Sequence, residues 1–352
     1  MDTISKIIPS PVLDAYGLVA ESVERVESGL INETWFVTTR ENQRYVIQRL
    51  HSAIPRDVNS KIEFVTQRLV SQNVTTPSLL PTSSGEIFFE TAGSQFRVLT
   101  FIAGTSFHVI SDPNQAFEAG TLLAKFHGAL KGVDHSGVLS NATVHNLQHH
   151  LTRLRLALEE HNGHQKILEI SEIAEDIFAN AEELPNVEIG ELQAVHGDPK
   201  ISNFLFDDAG RGVCMVDLDT VSLMPIAWEL GDAFRSWCNP SGEDTDDTRF
   251  SLEIFEAGLQ GYASKIGIPF SARDVENIVP AIQSIYIELA ARFCADALYE
   301  SYFAWDPKKF STHADHNIVR ARGQLGAARD LVIQRSKACG LARAVFASNA
   351  GR

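Results

Sequence analysis

Residues Val195–Asp219 read VHGDPKISNFLFDDAGRGVCMVDLD. Phe204–Phe206 and Val213–Val216 are apolar runs, and Asp207–Gly212 (DDAGRG) between them is turn chemistry. The pattern predicts loop, strand, turn, strand. Pairing Phe204 with Val216 across that turn sets Asn203 beside Asp217 at the open end of the hairpin. Asp198 lies on the loop feeding the first strand, where Pro199 favours extended backbone. Two carboxylates and an amide therefore converge. Such oxygen ligands suit Mg²⁺, a hard cation held by a few side chains plus phosphate oxygens. A carboxylate not used by the metal can orient a hydroxyl and accept its proton. Together these groups are minimal equipment for phosphoryl transfer from ATP to an alcohol, a reaction that needs positioning and charge neutralisation above all. The bland alternative is that Asp217-Leu218-Asp219 merely caps the next element.

Upstream, Thr34–Thr38, Tyr45–Leu50, Glu86–Glu90 and Phe96–Phe101 are short, aromatic and β-branched, and read as strands. A helix over Asn59–Gln72 interrupts them, with Ile62, Val65, Leu69 and Val70 at helical spacing. Beyond Gly104, helices are expected over Asn114–Leu130, Asn146–Ala157, Ile167–Leu184, Phe250–Ile266, Arg273–Leu298 and Asn317–Ala338. Pro280 is expected to kink or split the helix over Arg273–Leu298. The expected fold class is α+β: a small strand-rich N-terminal lobe, residues 1–103, and a larger, mostly helical C-terminal lobe, residues 104–352.

Of 352 residues, 45 are acidic and 30 basic, a formal charge of −15 that argues against a nucleic acid or an anionic membrane as partner. An apolar share of 44% rules out a wholly disordered chain. The four cysteines have no metal-ligand spacing, and with no apolar leader at the N-terminus the expectation is a reduced, cytoplasmic protein. No uninterrupted apolar run is long enough to span a bilayer. The acidic loop Ser241–Thr248 reads as solvated, His145, His149 and His150 as a solvated helix face, and His127 as a core histidine.

His196-Gly197-Asp198, Asn203 and Asp217 resemble the catalytic and metal-binding segments of the aminoglycoside phosphotransferase and choline-kinase-like family, whose fold is bilobal and protein-kinase-like. The branch that looks most similar is the N-acetylhexosamine 1-kinases, through Gly29–Thr39 (GLINETWFVTT), Tyr45–Leu50 (YVIQRL), Asp217–Thr220 (DLDT), Gly231–Arg235 (GDAFR) and His316–Gln324 (HNIVRARGQ). The resemblance implies Asp198 as catalytic base, Asn203 and Asp217 as Mg²⁺ ligands and His196 as a buttress of the loop. Asp219, two along from Asp217, would share its face on a strand. Asp232 would cap a helix or hold the catalytic loop.

In the small lobe, Ser28–Thr34 (SGLINET) stands where a nucleotide loop belongs, with Ser28, Gly29, Asn32 and Thr34 as candidate ATP contacts. It carries one glycine rather than a glycine array. Gln48 occupies the strand position where kinases carry a phosphate-binding lysine, so Arg49 or another residue has to supply the charge. Glu63 sits where that lysine's partner belongs. Arg97–Phe101 would form the hinge strand, with Thr100 and Ile102 offering backbone groups to adenine.

For the acceptor, Glu288, Arg292, Asp296 and Glu300 form one polar stripe at i, i+4 spacing in an otherwise apolar helix. Either they pair within the lobe or they line a polyol pocket. The resemblance implies sugar contacts at Arg292 and Tyr302, with Asp296 on the same stripe and Trp305 stacking or filling the core. The expected reaction is ATP- and Mg²⁺-dependent phosphorylation of a sugar hydroxyl, foremost the anomeric hydroxyl of an N-acetylhexosamine. One rival is a sibling kinase for choline, homoserine, another sugar or an aminoglycoside. The other is a nucleotide-binding pseudokinase module, which the missing lysine favours and the intact Asp198, Asn203 and Asp217 oppose.

Overall fold

The computed structural model describes residues 7–26, 32–52, 54–55, 57–133, 145–187, 190–267 and 270–349. Its small lobe is one antiparallel sheet in the order β1-β2-β3-β5-β4, formed by β1 (Ala20–Val26), β2 (Glu33–Thr39), β3 (Arg44–Arg49), β4 (Phe89–Thr91) and β5 (Ser94–Thr100). Alternation along each strand gives the sheet two faces. Trp35, Val37, Ile47, Phe96 and Val98 make the outer face, and a short helix α1 (Ser10–Ala15) covers it with Ile8, Val12 and Tyr16. Neither α1 nor β1 is among the elements expected from the sequence. Complete burial of one such side chain is worth about 1.5–3 kcal/mol, which is why this short helix and the residues flanking it, Ile8 and Tyr16, suffice to seal the face.

The inner face is built in rows by the register. Thr34 pairs with Gln48 and Gln48 with Arg97; in the next row Phe36 pairs with Val46 and Val46 with Leu99. The first row is polar and the second apolar. The strand expected at Glu86–Glu90 shrinks to Phe89–Thr91 because the backbone of Glu86 is taken by its own turn: its carbonyl accepts from Thr82 N at 2.8 Å and its N–H donates to Thr82 Oγ1 at 3.0 Å. Helix α2 (Val58–Ser71) sends Ile62, Val65 and Leu69 into the core of the larger lobe, so the two halves share apolar packing.

The large lobe contains α3 (Pro113–Leu130), α4 (Leu147–Glu160), α5 (Ile167–Glu182), the strand pair β6 (Leu192–Val195) and β9 (Ser222–Pro225), and the hairpin β7 (Phe204–Phe206) and β8 (Gly212–Met215). Helices α6 (Ile226–Trp237), α7 (Leu252–Lys265), α8 (Ala272–Tyr299) and α9 (His313–Asn349) follow. The fold is protein-kinase-like, as expected. Helix α6 was hidden in the sequence by its neighbour β9, although Pro225 before it and Ile226, Leu230, Ala233, Phe234 and Trp237 at helical spacing are a readable signal. Pro280 does not split α8, which runs unbroken for 28 residues. This helix is long and apolar enough to cross a bilayer, but 83% of its most apolar window is buried inside the protein, where it serves as the central core helix. The linker between the lobes is tied to the hairpin: Thr105 N donates to Phe206 O at 2.8 Å and Phe206 N donates to Thr105 O at 2.9 Å.

Candidate active site

The loop His196–Asn203 is fixed from behind. Glu229, fully buried on α6, accepts from His196 N at 2.9 Å and from Gly197 N at 3.0 Å, one carboxylate oxygen each. Trp237 Nε1 donates to Pro199 O at 2.9 Å. Gly197 has φ +82°, and a Cβ there would stand 2.2 Å from Thr220 O, so no side chain fits. His196 is buried, and its Nε2–H donates to the carbonyl of Val216 at 2.9 Å. That bond fixes the tautomer, leaving Nδ1 to accept from Asp198 N at 3.4 Å. His196 thus ties the loop to the strand end at Val216.

The hairpin register is one residue away from the expected one. Phe204 pairs with Met215 and Leu205 with Cys214, and Asn203 closes a 3₁₀ turn before the strand. Val216 N still donates to Asn203 O at 2.8 Å, so the open end gathers the expected groups. Asn203 Nδ2 donates to Asp198 O at 2.9 Å and to Asp198 Oδ2 at 3.3 Å, which leaves the amide oxygen available to a cation. Asp217 adopts φ 63°, ψ 61°, and Asp219 lies in a 3₁₀ turn (Leu218–Thr220) rather than sharing a strand face with it.

Lys200, which the sequence reading passed over, sits with Nζ 2.5 Å from Asp198 Oδ2. Burial on its own would raise the Asp198 carboxyl. The ammonium of Lys200, backed by His196 and Arg235, outweighs it and holds the group below the ordinary carboxylate range. Asp217 goes the other way: burial, then repulsion from Asp219, lifts its carboxyl above the ordinary value, with Lys200 opposing and Asp198 adding to the rise. A carboxylate destabilised by neighbouring carboxylates is relieved by a divalent cation, so the donor set fits one. Among the described residues no group of three His, Cys, Asp or Glu is arranged to hold a metal unaided.

Asp232 is neither at a helix end nor on the loop. It lies within α6 and binds Arg235 Nε at 3.0 Å; the loop is held by Glu229 instead. Arg235 also grips Glu243 of the acidic loop. That loop keeps its acidic side chains exposed, as a solvated loop does, but it is anchored: Asp244 Oδ1 lies 2.8 Å from His316 Nε2 and 2.9 Å from Arg320 Nε. A Cβ on Gly323 of α9 would stand 2.3 Å from Thr245 O, so the loop seats directly on the helix. Arg320 Nη1 donates onward to Ala304 O at 2.8 Å. A continuous polar path thus runs from α6 beside the His196–Asn203 loop to the segment after α8.

That segment carries Tyr302, 69% exposed, and Trp305, 37% exposed. Arg292 lies 5.8 Å from the Tyr302 ring centroid and 5.5 Å from that of Phe303. Asp296 is fully engaged: Oδ1 accepts from Ser301 N and Tyr302 N, and Oδ2 from Phe303 N and Asn317 Nδ2. Glu288 is buried beside His145, whose Nδ1 is 3.3 Å from Glu288 Oε1. His145 is therefore not part of a solvated face; its ring stacks on Trp228 at 6.0 Å. His127 is a core histidine, with Nδ1 2.9 Å from Tyr262 Oη.

In the small lobe, Ser28 and Gly29 lie outside the described residues. Asn32 Nδ2 reaches Asp219 Oδ2 at 2.8 Å, and Thr34 Oγ1 accepts from Gln48 Nε2 at 3.2 Å. Arg49 is not the substitute cation: it is exposed and pairs with Glu33 at 3.0 Å. Thr100 N donates to Ser78 O at 2.9 Å and Thr100 Oγ1 accepts from Ser78 N at 2.9 Å, so the Thr100 amide is already engaged; Ile102 lies two residues past the end of β5.

Residues 22–264 match the model of the APH phosphotransferase enzyme family. The chain belongs to that family. Its structure is similar to an amicoumacin kinase in complex with AMP-PNP and Ca²⁺ (TM-score 0.62, 14% identity, 91% of this chain and 92% of that one). It is similar also to a microcompartment-associated aminopropanol kinase (TM-score 0.64, 16% identity, 96% and 99%) and to a choline kinase from Cryptosporidium parvum Iowa II (0.62, 14%, 94% and 97%). The family member described here is a small-molecule-kinase-like phosphotransferase.

Proposed function

We propose that this phosphotransferase uses ATP to phosphorylate the anomeric hydroxyl of an N-acetylhexosamine. The observation that carries the transfer chemistry is the grouping of Asp198, Lys200, Asn203 and Asp217 on a loop propped by Glu229. Asp198 Oδ1, the oxygen not engaged by Lys200 or Asn203, accepts a hydrogen bond from the sugar hydroxyl and orients it for in-line attack on the γ-phosphorus. Because its carboxyl is held low, Asp198 stays ionised at neutral pH. Lys200 keeps that charge balanced until the phosphate approaches. The Asn203 amide oxygen and Asp217 would hold Mg²⁺, which would supply neutralisation of phosphate charge. Adenine lies against the apolar row Phe36, Val46 and Leu99, with backbone groups near Ile102 at its edge.

The sugar reading is supported by the resemblance of the motifs and by the exposed Tyr302 ring beside the Arg292 guanidinium, with Trp305, stacked on His313, further along the same segment. Asp296 shapes this patch by holding the loop and leaves sugar contact to the others. A second reading, an amino-alcohol acceptor, is favoured by the formal net charge of −15, which is compatible with a cationic substrate. The four cysteines are unpaired, which suits the cytoplasm, where ATP is abundant. An ADP-release assay over N-acetylhexosamines, other sugars, choline, aminopropanol and aminoglycosides decides the acceptor. Turnover with an N-acetylhexosamine and a 1-phosphate product by NMR is expected; turnover with amino alcohols alone overturns the sugar reading.

A further inference from the structure

We propose that Arg97 is the small lobe's phosphate-side cation, supplied from the strand next to the one that lacks a lysine, and that it positions Asp219 so that Asp217 is presented to the metal. Gln48 and Arg97 are register partners across β3 and β5, so a cation at either position reaches the same place. Arg97 is 1% exposed. Its Nε donates to Gln48 Oε1 at 2.8 Å, Nη1 to Asn59 Oδ1 at 3.4 Å and Nη2 to Asp219 Oδ1 at 2.5 Å. Asn59 stands on α2 one turn before Glu63, so the helix partner expected at 63 is found at 59, and it is neutral. Gln48, locked by Thr34, serves as a bracket for the guanidinium.

A guanidinium stays charged at any pH of interest, and removing one from water requires a carboxylate partner. Among the described residues, the carboxylate in contact with Arg97 is Asp219, on the opposite lobe. Its second oxygen accepts from Asn32 Nδ2, while Asn32 Oδ1 accepts from His51 N at 3.0 Å. Strands β3 and β5, helix α2 and the segment entering β2 therefore converge on one carboxylate of the large lobe. Asp219 is two residues from Asp217. Holding it fixes the 3₁₀ turn Leu218–Thr220 and, through it, the backbone of Asp217. Both Asp219 oxygens are engaged, so it acts as a lobe-coupling group with Asp217 as ligand. This assignment rests on the family chemistry and is independent of which acceptor is used.

The test is calorimetric titration of AMP-PNP with Mg²⁺, which needs no acceptor and so cannot fail for the wrong sugar. Arg97→Gln is expected to weaken binding about tenfold or more. Adding Gln48→Lys to Arg97→Gln is expected to return affinity to within about threefold of the parent, a rescue that a merely structural role for Arg97 does not predict. Asp219→Asn should weaken binding as Arg97→Gln does, and the two together no more than either alone. Affinity within about twofold of the parent for Arg97→Gln, or a Gln48→Lys, Arg97→Gln protein as weak as Arg97→Gln, overturns the proposal. Should Arg97→Gln not fold, Arg97→Lys and Asp219→Asn carry the test. The lysine variant then keeps affinity within about threefold and the asparagine variant loses it; the reverse order overturns the assignment.

Discussion

The segment His196–Asp219 and the stripe Glu288–Glu300 on α8 both present polar side chains at regular spacing in apolar surroundings, yet they put those side chains to opposite uses. In the first, support comes from elsewhere: Glu229 and Trp237 hold the backbone, so Asp198, Asn203 and Asp217 keep atoms free of structural duty. In the second, the polar groups are themselves the support. Asp296 holds three backbone amides and Asn317, and Glu300 Oε1 accepts from Ala314 N at 3.2 Å. Spacing says where polar groups gather. Only the identity of whatever supplies the backbone's hydrogen bonds says which of them remain available to a ligand.

The sharpest way to break this comparison is Asp198→Asn. Turnover should fall about 10²–10⁴-fold while AMP-PNP affinity changes little, read by steady-state kinetics beside calorimetry. Retained turnover would leave the segment with no chemical privilege over the stripe. Next comes Glu229→Ala, which strands two buried amides. It is expected to cost about 2–5 kcal/mol in urea unfolding and to abolish turnover, because the loop loses its prop. Asp296→Ala should be milder, about 1–3 kcal/mol, raising the acceptor KM through the displaced Tyr302 while AMP-PNP affinity stays unchanged. A loss of nucleotide affinity there would show that the stripe does more than shape a loop.

The smallest effect is a pH dependence at the seat of the acidic loop. Burial, then Arg320, holds His316 below its ordinary value of 6.5, with Asp244 opposing. Burial would raise Asp244, but Arg320 and His316 hold it below 3.8. Folding lowers both values, so the unfolded chain binds more protons between the two limits. The stability they contribute is in place above pH 6.5, is lost in part as pH falls through the folded value of His316, and is lost further below 3.8 as Asp244 protonates. Melting temperature measured between neutral and mildly acidic pH should drop less in His316→Gln than in the parent.

Much of this was legible in the residues. The hairpin declared itself through two apolar runs and a glycine-rich turn, and the convergence of Asp198, Asn203 and Asp217 survived a one-residue register difference because Val216 N still meets Asn203 O. What stayed hidden depended on distant partners. Nothing local to Arg97 says that its guanidinium crosses to a residue 122 positions away. Nothing in SGEDTDDT says that α9 offers Gly323 as a seat. Nothing local to Glu229 sets it apart from other acidic residues, and only its placement under two amides gives it a role. Lys200 was the one signal within reach, two residues after the proposed base.

Asp217 holds a backbone shape that glycine adopts freely and an L-residue adopts at a cost of about 1–2 kcal/mol. Its carboxylate is also crowded by like charges. The protein therefore keeps at 217 a residue that its own folding would prefer to lose. Directed evolution for heat tolerance alone, run without nucleotide, should drift toward Asp217→Gly and yield sturdier molecules that no longer transfer phosphate.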